Sequence, residues 1–411
     1  MERAYTIFPG LVDYRFIDDP TSGRYPSPWG FYRMGYSILV ATLALCLTTA
    51  EAAAPRARDL GLAVGRFTPG ALNAITDVPG VKVGQVTLNK GTARTGVTVI
   101  LPHGGDPWTE KVAAGTFTFN GCGEGTGLMW MQESGILETP IALTNTLSVG
   151  AVQQALNTHL MKTHPAIGKG DDTSTPVVLE CDDSALNDIR ALHVNTGHVL
   201  LALRDANTGP VAEGAVGAGT GMITYEYKGG IGTASRKVEI GGKTYTVGLL
   251  LNANHGDRET LRLLGQPVGH FWTDMKPKLA ADGSVVVVVA TDAPLDSRQL
   301  TRLSKRVWLG IGRTGAVAKN GSGDVSLAFS TANHYPHYPK DPLLNMKLLS
   351  DSALSPLFEA VADASEEAIY NTLVAGRTTT GRDGNTVYGL PVERLKRFNE
   401  SRANLQSALG L

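Results

Sequence analysis

Apolar residues in this chain fall into short runs whose spacing sets the expected elements. Val285-Val286-Val287-Val288-Val289-Ala290 is unbroken and bounded by Ser284 and Thr291, which predicts a buried strand. Val149, Val152, Leu156 and Leu160 recur at helical spacing and predict a helix from Val149 to Met161. Asp296 stands where a helix cap belongs, ahead of an apolar face of Leu300, Leu303, Val307 and Trp308, with Gly310 as the stop signal. A last helical block covers 357–374. Residues 73–101 alternate turn signals with β-rich runs and read as a meander of short strands. Further strands are expected at Pro176–Leu179, Val199–Leu203 and Val247–Leu251. No linker rich in Pro, Ser or charge interrupts this order, and no repeat of 20–50 residues appears, so a single α/β domain is the simplest architecture.

The amino-terminal segment has a different pattern. Arg33-Met34 precedes the apolar run Ile38–Leu47, and Ala50-Glu51-Ala52 offers a small-residue cleavage site after Ala52. Residues 1–52 therefore read as a leader and signal peptide, with Met34 as the expected biological start, and the protein is expected to be exported, periplasmic or secreted. An uncleaved anchor is the rival reading, although ten apolar residues are short for a bilayer. Residues 1–52 carry four of the 37 basic and five of the 38 acidic side chains, which leaves 33 of each sign in the mature chain. A neutral chain without a basic run argues against nucleic acid or an anionic membrane as partner. Past Cys46, which lies in the signal region, only Cys122 and Cys181 remain, and unpaired thiols are expected rather than a disulfide.

The candidate chemistry begins at Asp282-Gly283-Ser284. Cleavage before Ser284 would leave a new α-amine at the start of a rigid strand, where the serine hydroxyl attacks and its own amine, of ordinary pKa ~7.7–8.0, takes the proton. Asp-Gly-Ser is also an ordinary turn, and the residues alone leave both readings open. Other constellations are weaker. The glycine-rich stretch Gly214–Gly221 has no Lys-Ser/Thr after it and reads as close backbone packing rather than a phosphate loop. The nine histidines contain no H-E-x-x-H, and His334 and His337 read as loop residues beside Pro336 and Pro339. Asp171-Asp172 and Asp182-Asp183 read as solvated turn carboxylates. No G-x-S-x-G nucleophile elbow is present.

Several segments together carry a resemblance: Asn73–Val81, Gly121–Gly127, Pro140–Thr146, Gly217–Met222, Lys228–Arg236 and Ala290–Leu295. Across about residues 65–395 the chain resembles the L-aminopeptidase/D-esterase/amidase family, which includes the β-peptidyl aminopeptidases. The resemblance implies a four-layer α/β/β/α sandwich similar to N-terminal-nucleophile hydrolases but differently connected. It implies self-cleavage between Gly283 and Ser284, giving chains 53–283 and 284–411, with Ser284 as nucleophile and Ser322 and Asp324 as its proton-handling partners. Familiar members carry Glu where Asp324 stands. Asn254 matches the oxyanion-donating amide, with Asn252 as second choice, and Glu180 matches the carboxylate that holds the substrate's ammonium. Cys181-Asp182 stand where some relatives have an uncharged polar residue and an aromatic, so Asp182 adds charge to the amine pocket or alters its shape. The implied activity is removal of amino-terminal residues from short peptides, amides or esters, including D- or β-amino acid derivatives, without metal or organic cofactor. A ring-like homo-oligomer of processed heterodimers is expected. An acyltransferase of related fold and an unprocessed periplasmic binding protein are the alternatives.

Overall fold

The computed structural model describes residues 55–278 and 283–409. The signal segment, Met34, Cys46 and Asp282 lie outside the described residues. Residues 53–411 form one compact unit. In chain order the elements are β1 Lys82–Leu88, β2 Thr95–Leu101, β3 Glu110–Gly121, β4 Gly125–Thr126, α1 Leu128–Ser134, β5 Ile136–Leu137, β6 Ile141–Thr144, α2 Val149–Thr163, β7 Val177–Glu180, α3 Thr196–Asp205, β8 Ile223–Thr224, β9 Tyr227–Lys228, β10 Ile231–Ile240, β11 Lys243–Asn254, β12 Ser284–Thr291, α4 Ser297–Arg313, β13 Gly323–Pro336, α5 Ser355–Ala375. A shorter hairpin and a final helix, α6 Val392–Leu409, follow.

The two large sheets are ordered β1-β2-β6-β7-β4 and β10-β11-β12-β13-β3-β5. Each contains one parallel pair, β6 with β7 and β12 with β13, in which the connection passes through a helix, α2 and α4 respectively. The unbroken valine run follows from the layering. Val286, Val288 and Ala290 enter the core between the two sheets, whereas Val285, Val287 and Val289 enter the core between the second sheet and α4 and α5. Both faces of β12 are covered, so no polar alternation is needed; each buried valine contributes about 1.5–3 kcal/mol. A third core joins Val97, Val99 and Val178 of the first sheet to Val152 and Leu156 of α2 and Val199 and Ala202 of α3. The layers are therefore α/β/β/α, as the resemblance implied.

Two expectations from the apolar spacing are corrected. The run at Val199–Leu203 is helix α3 rather than a strand. A short continuous apolar run is ambiguous, and the local cap decides it: Asn195 Oδ1 accepts from the His198 N–H at 3.4 Å while His198 Nδ1 accepts from the Asn195 N–H at 3.2 Å. Helix α4 begins at the expected Asp296 cap, whose Oδ1 accepts from the Gln299 N–H at 2.7 Å, but it runs past Gly310 to Arg313. Gly310 serves packing there, since a Cβ would lie 2.0 Å from the Ala362 carbonyl oxygen of α5.

Candidate functional site

Ser284 opens β12 with only 6% of its surface exposed. Antiparallel β11 places Asn254 opposite it, and parallel β13 places Gly323 on its other side. Gly283 is packed tightly, because a Cβ there would stand 2.7 Å from both the Asn254 carbonyl oxygen and His255 Cα. The Gly283 carbonyl oxygen accepts a hydrogen bond from the Gly323 N–H at 3.3 Å. The bond expected to be cut is thus held at its carbonyl by the glycine between Ser322 and Asp324.

Strand alternation divides the remaining groups between two faces. Ser284 and Asn254 share parity with Val286 and Leu250 and face the layer between the sheets. There the Ser284 hydroxyl meets the fully buried thiol of Cys181, whose own proton goes to the Asn252 carbonyl at 3.5 Å. Burial raises the Cys181 pKa and keeps that thiol protonated. Asp324 lies on the opposite face with Ser326, which accepts from Trp308 Nε1 of α4 at 3.2 Å. The Ser322 hydroxyl donates to Asp324 Oδ1 at 2.7 Å, and Asp324 Oδ2 has no partner among the described residues. Burial raises the Asp324 pKa, against the hydrogen bonds from Ser322 and the Val285 backbone. Ser322 and Asp324 therefore flank the backbone side of Ser284 rather than its hydroxyl.

The Asn254 amide is oriented by two fixed contacts. Its Oδ1 accepts from the Ile223 N–H at 2.8 Å and its Nδ2 donates to the Asp182 carbonyl at 2.8 Å. One Nδ2 hydrogen is left for another acceptor. The turn that supplies Ile223 is held by the buried Lys228 ammonium, which donates to the Gly219, Met222 and Gly229 carbonyls at 3.2, 2.7 and 2.6 Å. Gly219 of the glycine-rich stretch thus turns its oxygen inward onto a lysine. Asn252 lies opposite Val286, deeper in the core, which favours Asn254 over the second choice.

Glu180 closes β7 in the first sheet and is 4% exposed. Its Oε1 accepts from the Glu124 N–H at 2.9 Å and its Oε2 from the Thr146 hydroxyl. Burial raises its pKa, and the Asp182 and Glu124 carboxylates push in the same direction. A Cβ on Gly123 would lie 3.0 Å from Glu180 Oε1 and 3.2 Å from Gly323 Cα, so one glycine separates Glu180 from the neighbour of Ser284. Gly121–Gly127 links the two sheets at this edge. The Asp182 side chain is exposed and accepts from the Ser184 N–H at 2.7 Å.

The residues not foreseen as site members are Gly323, Thr146, Cys181 as a partner of Ser284, and His255. His255 is 7% exposed and packs edge-on against Tyr225 with ring centroids 5.0 Å apart. Neither ring nitrogen has a partner among the described residues, and burial pushes its pKa down to about 4. Both cysteines are free, Cys122 exposed and Cys181 buried.

Asp183 is not a solvated turn carboxylate, since it is fully buried, its Oδ1 accepts from Asn187 Nδ2 at 2.8 Å and burial raises its pKa to about 7. The same reading of Asp171 is also corrected. Its side chain is 7% exposed and is held by Tyr338 OH at 2.6 Å, His337 Nε2 at 2.8 Å and Trp108 Nε1 at 3.3 Å. His337 is correspondingly buried, and His334 belongs to β13. Ligand atoms of Asp171, Asp172 and His337, and of His103, Glu110 and His334, come within 4.8 Å of one another. The first group is taken up by that hydrogen-bonded cage. In the second, the His103 ring contacts the Glu110 carbonyl at 2.8 Å and accepts from the Gly105 N–H at 3.0 Å.

The profile of peptidase family S58 matches residues 73–387. The chain belongs to peptidase family S58. A β-peptidyl aminopeptidase of Sphingosinicella microcystinivorans is 43% identical over 389 residues, covering 87% of this chain and 95% of the relative. A Burkholderia β-aminopeptidase structure matches at 46% identity and a TM-score of 0.80, covering 84% of this chain and 99% of the other. The L-aminopeptidase D-Ala-esterase/amidase of Ochrobactrum anthropi, described as a new variant of the Ntn hydrolase fold, matches at 41% identity and a TM-score of 0.80, covering 85% and 99%. The S58 chain has that fold, and among its described residues no helix is long and apolar enough to cross a membrane.

Proposed function

We propose that this S58 chain is an exported, self-processing serine aminopeptidase that releases amino-terminal residues from short peptides, amides or esters, β-amino acid derivatives among them. The carrying observation is Ser284 at the head of β12, flanked by Asn254 and Gly323, with the Gly323 N–H on the Gly283 carbonyl. In self-cleavage the Ser284 hydroxyl attacks the Gly283 carbonyl carbon, the C–N bond breaks, and water hydrolyses the resulting ester to leave chains 53–283 and 284–411. In turnover the freed α-amine takes the hydroxyl proton as the acyl–oxygen bond forms and passes it to the leaving nitrogen; water then releases the acyl group. Asn254 donates its remaining amide hydrogen to the developing oxyanion, and the Ser322–Asp324 pair orients the amine. Signal removal after Ala52 and assembly of processed heterodimers into a homo-oligomer belong to the same reading.

Glu180 supplies the test of the aminopeptidase assignment. Each of its oxygens keeps a lone pair beyond the contacts to Glu124 and Thr146, enough to receive a substrate ammonium. That charge-assisted bond is worth about 1.5–3 kcal/mol, so Glu180→Gln is expected to lower kcat/KM for free-amine substrates by roughly 10- to 150-fold while the chain still cuts itself. N-acetylated amides lack the charge and are expected to be poor substrates of the wild type. Because burial raises the Glu180 pKa, KM should begin to climb at a higher pH, as pH falls, than for a solvated glutamate. Equal wild-type rates on matched free and acetylated amides would replace the aminopeptidase by a general amidase.

The base is tested separately. With the α-amine as acceptor, kcat rises with pH through an apparent pKa of about 7, near or below the α-amino reference. His255 packs against Gly283, but its depressed pKa makes it neutral throughout that range. His255→Gln is expected to change the rate while keeping the acid limb in place. Loss of the limb in this variant would make His255 the base.

A further inference from the structure

A cavity of about 180 Å³ opens on the α4 side of β12. Gly283 and Val285, the residues on either side of Ser284, both line it, as do Ser322 and Asp324. Its apolar wall includes Phe119 and Trp308, stacked with centroids 5.1 Å apart at 13°, together with Ile311 and Val317. Two buried residues, His255 and Asp324, also line it, and the His255 ring nitrogens and Asp324 Oδ2 have no partner among the described residues. The mechanism above leaves this volume unused.

We propose that this cavity is the leaving-group subsite and that it takes an apolar, aromatic amine or the amino-terminal aromatic residue of a departing peptide. The inference rests on the serine aminopeptidase reading, in which the Ser284 amine collects the hydroxyl proton and returns it to the leaving nitrogen. The leaving group must then stand against that amine, on the side of Ser284 that Ser322 and Asp324 occupy. The acyl portion lies the other way, with its ammonium toward Glu180. Size agrees with an aromatic occupant, since an apolar cavity of roughly 150 Å³ holds a benzene ring.

The test uses two amides of one amino acid with alkyl amines of similar basicity, the 2-phenylethyl amide and the ethyl amide. For the purified wild type, kcat/KM is expected to favour the phenylethyl amide by at least about tenfold, the order that one apolar group confers in a fitted pocket. Gly312 lines the cavity and a Cβ there meets nothing within 4 Å, so Gly312→Leu adds apolar bulk at the lining with no clash at its Cβ. In this variant the preference is expected to collapse below about threefold, with self-cleavage fragments reporting that it folded. Val317→Trp, at a lining residue that is 69% exposed, fills the cavity with a second side chain and serves where Gly312→Leu does not fold. Hydrolysis of both amides at equal kcat/KM by the wild type overturns the subsite while the aminopeptidase stands, and an unchanged preference in a folded filling variant overturns its location. Hydrolysis of acetylated amides alone removes the aminopeptidase reading and the subsite together.

Discussion

Ser284→Ala is expected to remain a single uncut chain and to hydrolyse no amide or ester, whereas the wild type runs as two fragments. From residue 53 onward those fragments have masses of roughly 24 and 14 kDa at the chain's mean residue mass. The substitution removes one oxygen from a residue that is 6% exposed and forfeits its contact to the Cys181 thiol, while the flanking strand pairs and the valine core stay intact. A folded, uncut protein is therefore the expected product, and loss of cleavage reflects loss of the nucleophile rather than of the fold. Two measurements decide the matter, denaturing electrophoresis and sequencing of the amino terminus of the smaller fragment. A terminus other than Ser284, or an intact wild-type chain with full activity, would sink the self-processing mechanism.

The valine run illustrates what the sequence makes legible. Six consecutive apolar residues demand cover on both faces, and the structure supplies it from opposite layers, so β12 and the position of Ser284 at its head follow from local pattern. The Asp296 cap is legible for the same reason, because its partner Gln299 is three residues away. Gly310 misleads because its role depends on a partner distant in the chain, Ala362, and Val199–Leu203 misleads because a short apolar run fits either element until the Asn195–His198 cap ahead of it is read. The site divides likewise. Ser322 and Asp324 share a short motif, but the joining of Ser284 to Asn254, Gly323 and Cys181 is a matter of strand order, and alternation alone cannot reveal which strands are neighbours. Thr146 and the Glu124 backbone were present within segments that carried the resemblance, yet nothing in their spacing announces a shared carboxylate. His255 gave no signal at all, since its meaning comes from burial without partners.

Asn254→Ala separates the two reactions of the site. Self-cleavage develops its oxyanion on the Gly283 carbonyl oxygen, which is held by the Gly323 backbone N–H at 3.3 Å, a donor that no side-chain substitution at Asn254 removes. Turnover of an external amide, in the reading above, relies on the Asn254 Nδ2 hydrogen left over after the bond to the Asp182 carbonyl. The variant is therefore expected to process itself and assemble, but to turn over free-amine amides about 10²- to 10³-fold more slowly in kcat with KM little changed, the usual consequence of losing one oxyanion donor. Asn254→Asp sharpens the comparison. It keeps an acceptor for the Ile223 N–H, so the local turn can persist, but it removes the donor and sets a negative charge where the oxyanion forms. Its kcat is expected to fall at least as far as that of the alanine variant. Single-turnover acylation measured on both processed variants isolates the step in question. An Asn254→Ala enzyme that acylates within about threefold of wild type would assign the oxyanion donor elsewhere, and the Gly323 N–H, already aimed at a carbonyl in the uncut chain, would then be the group to which both reactions turn.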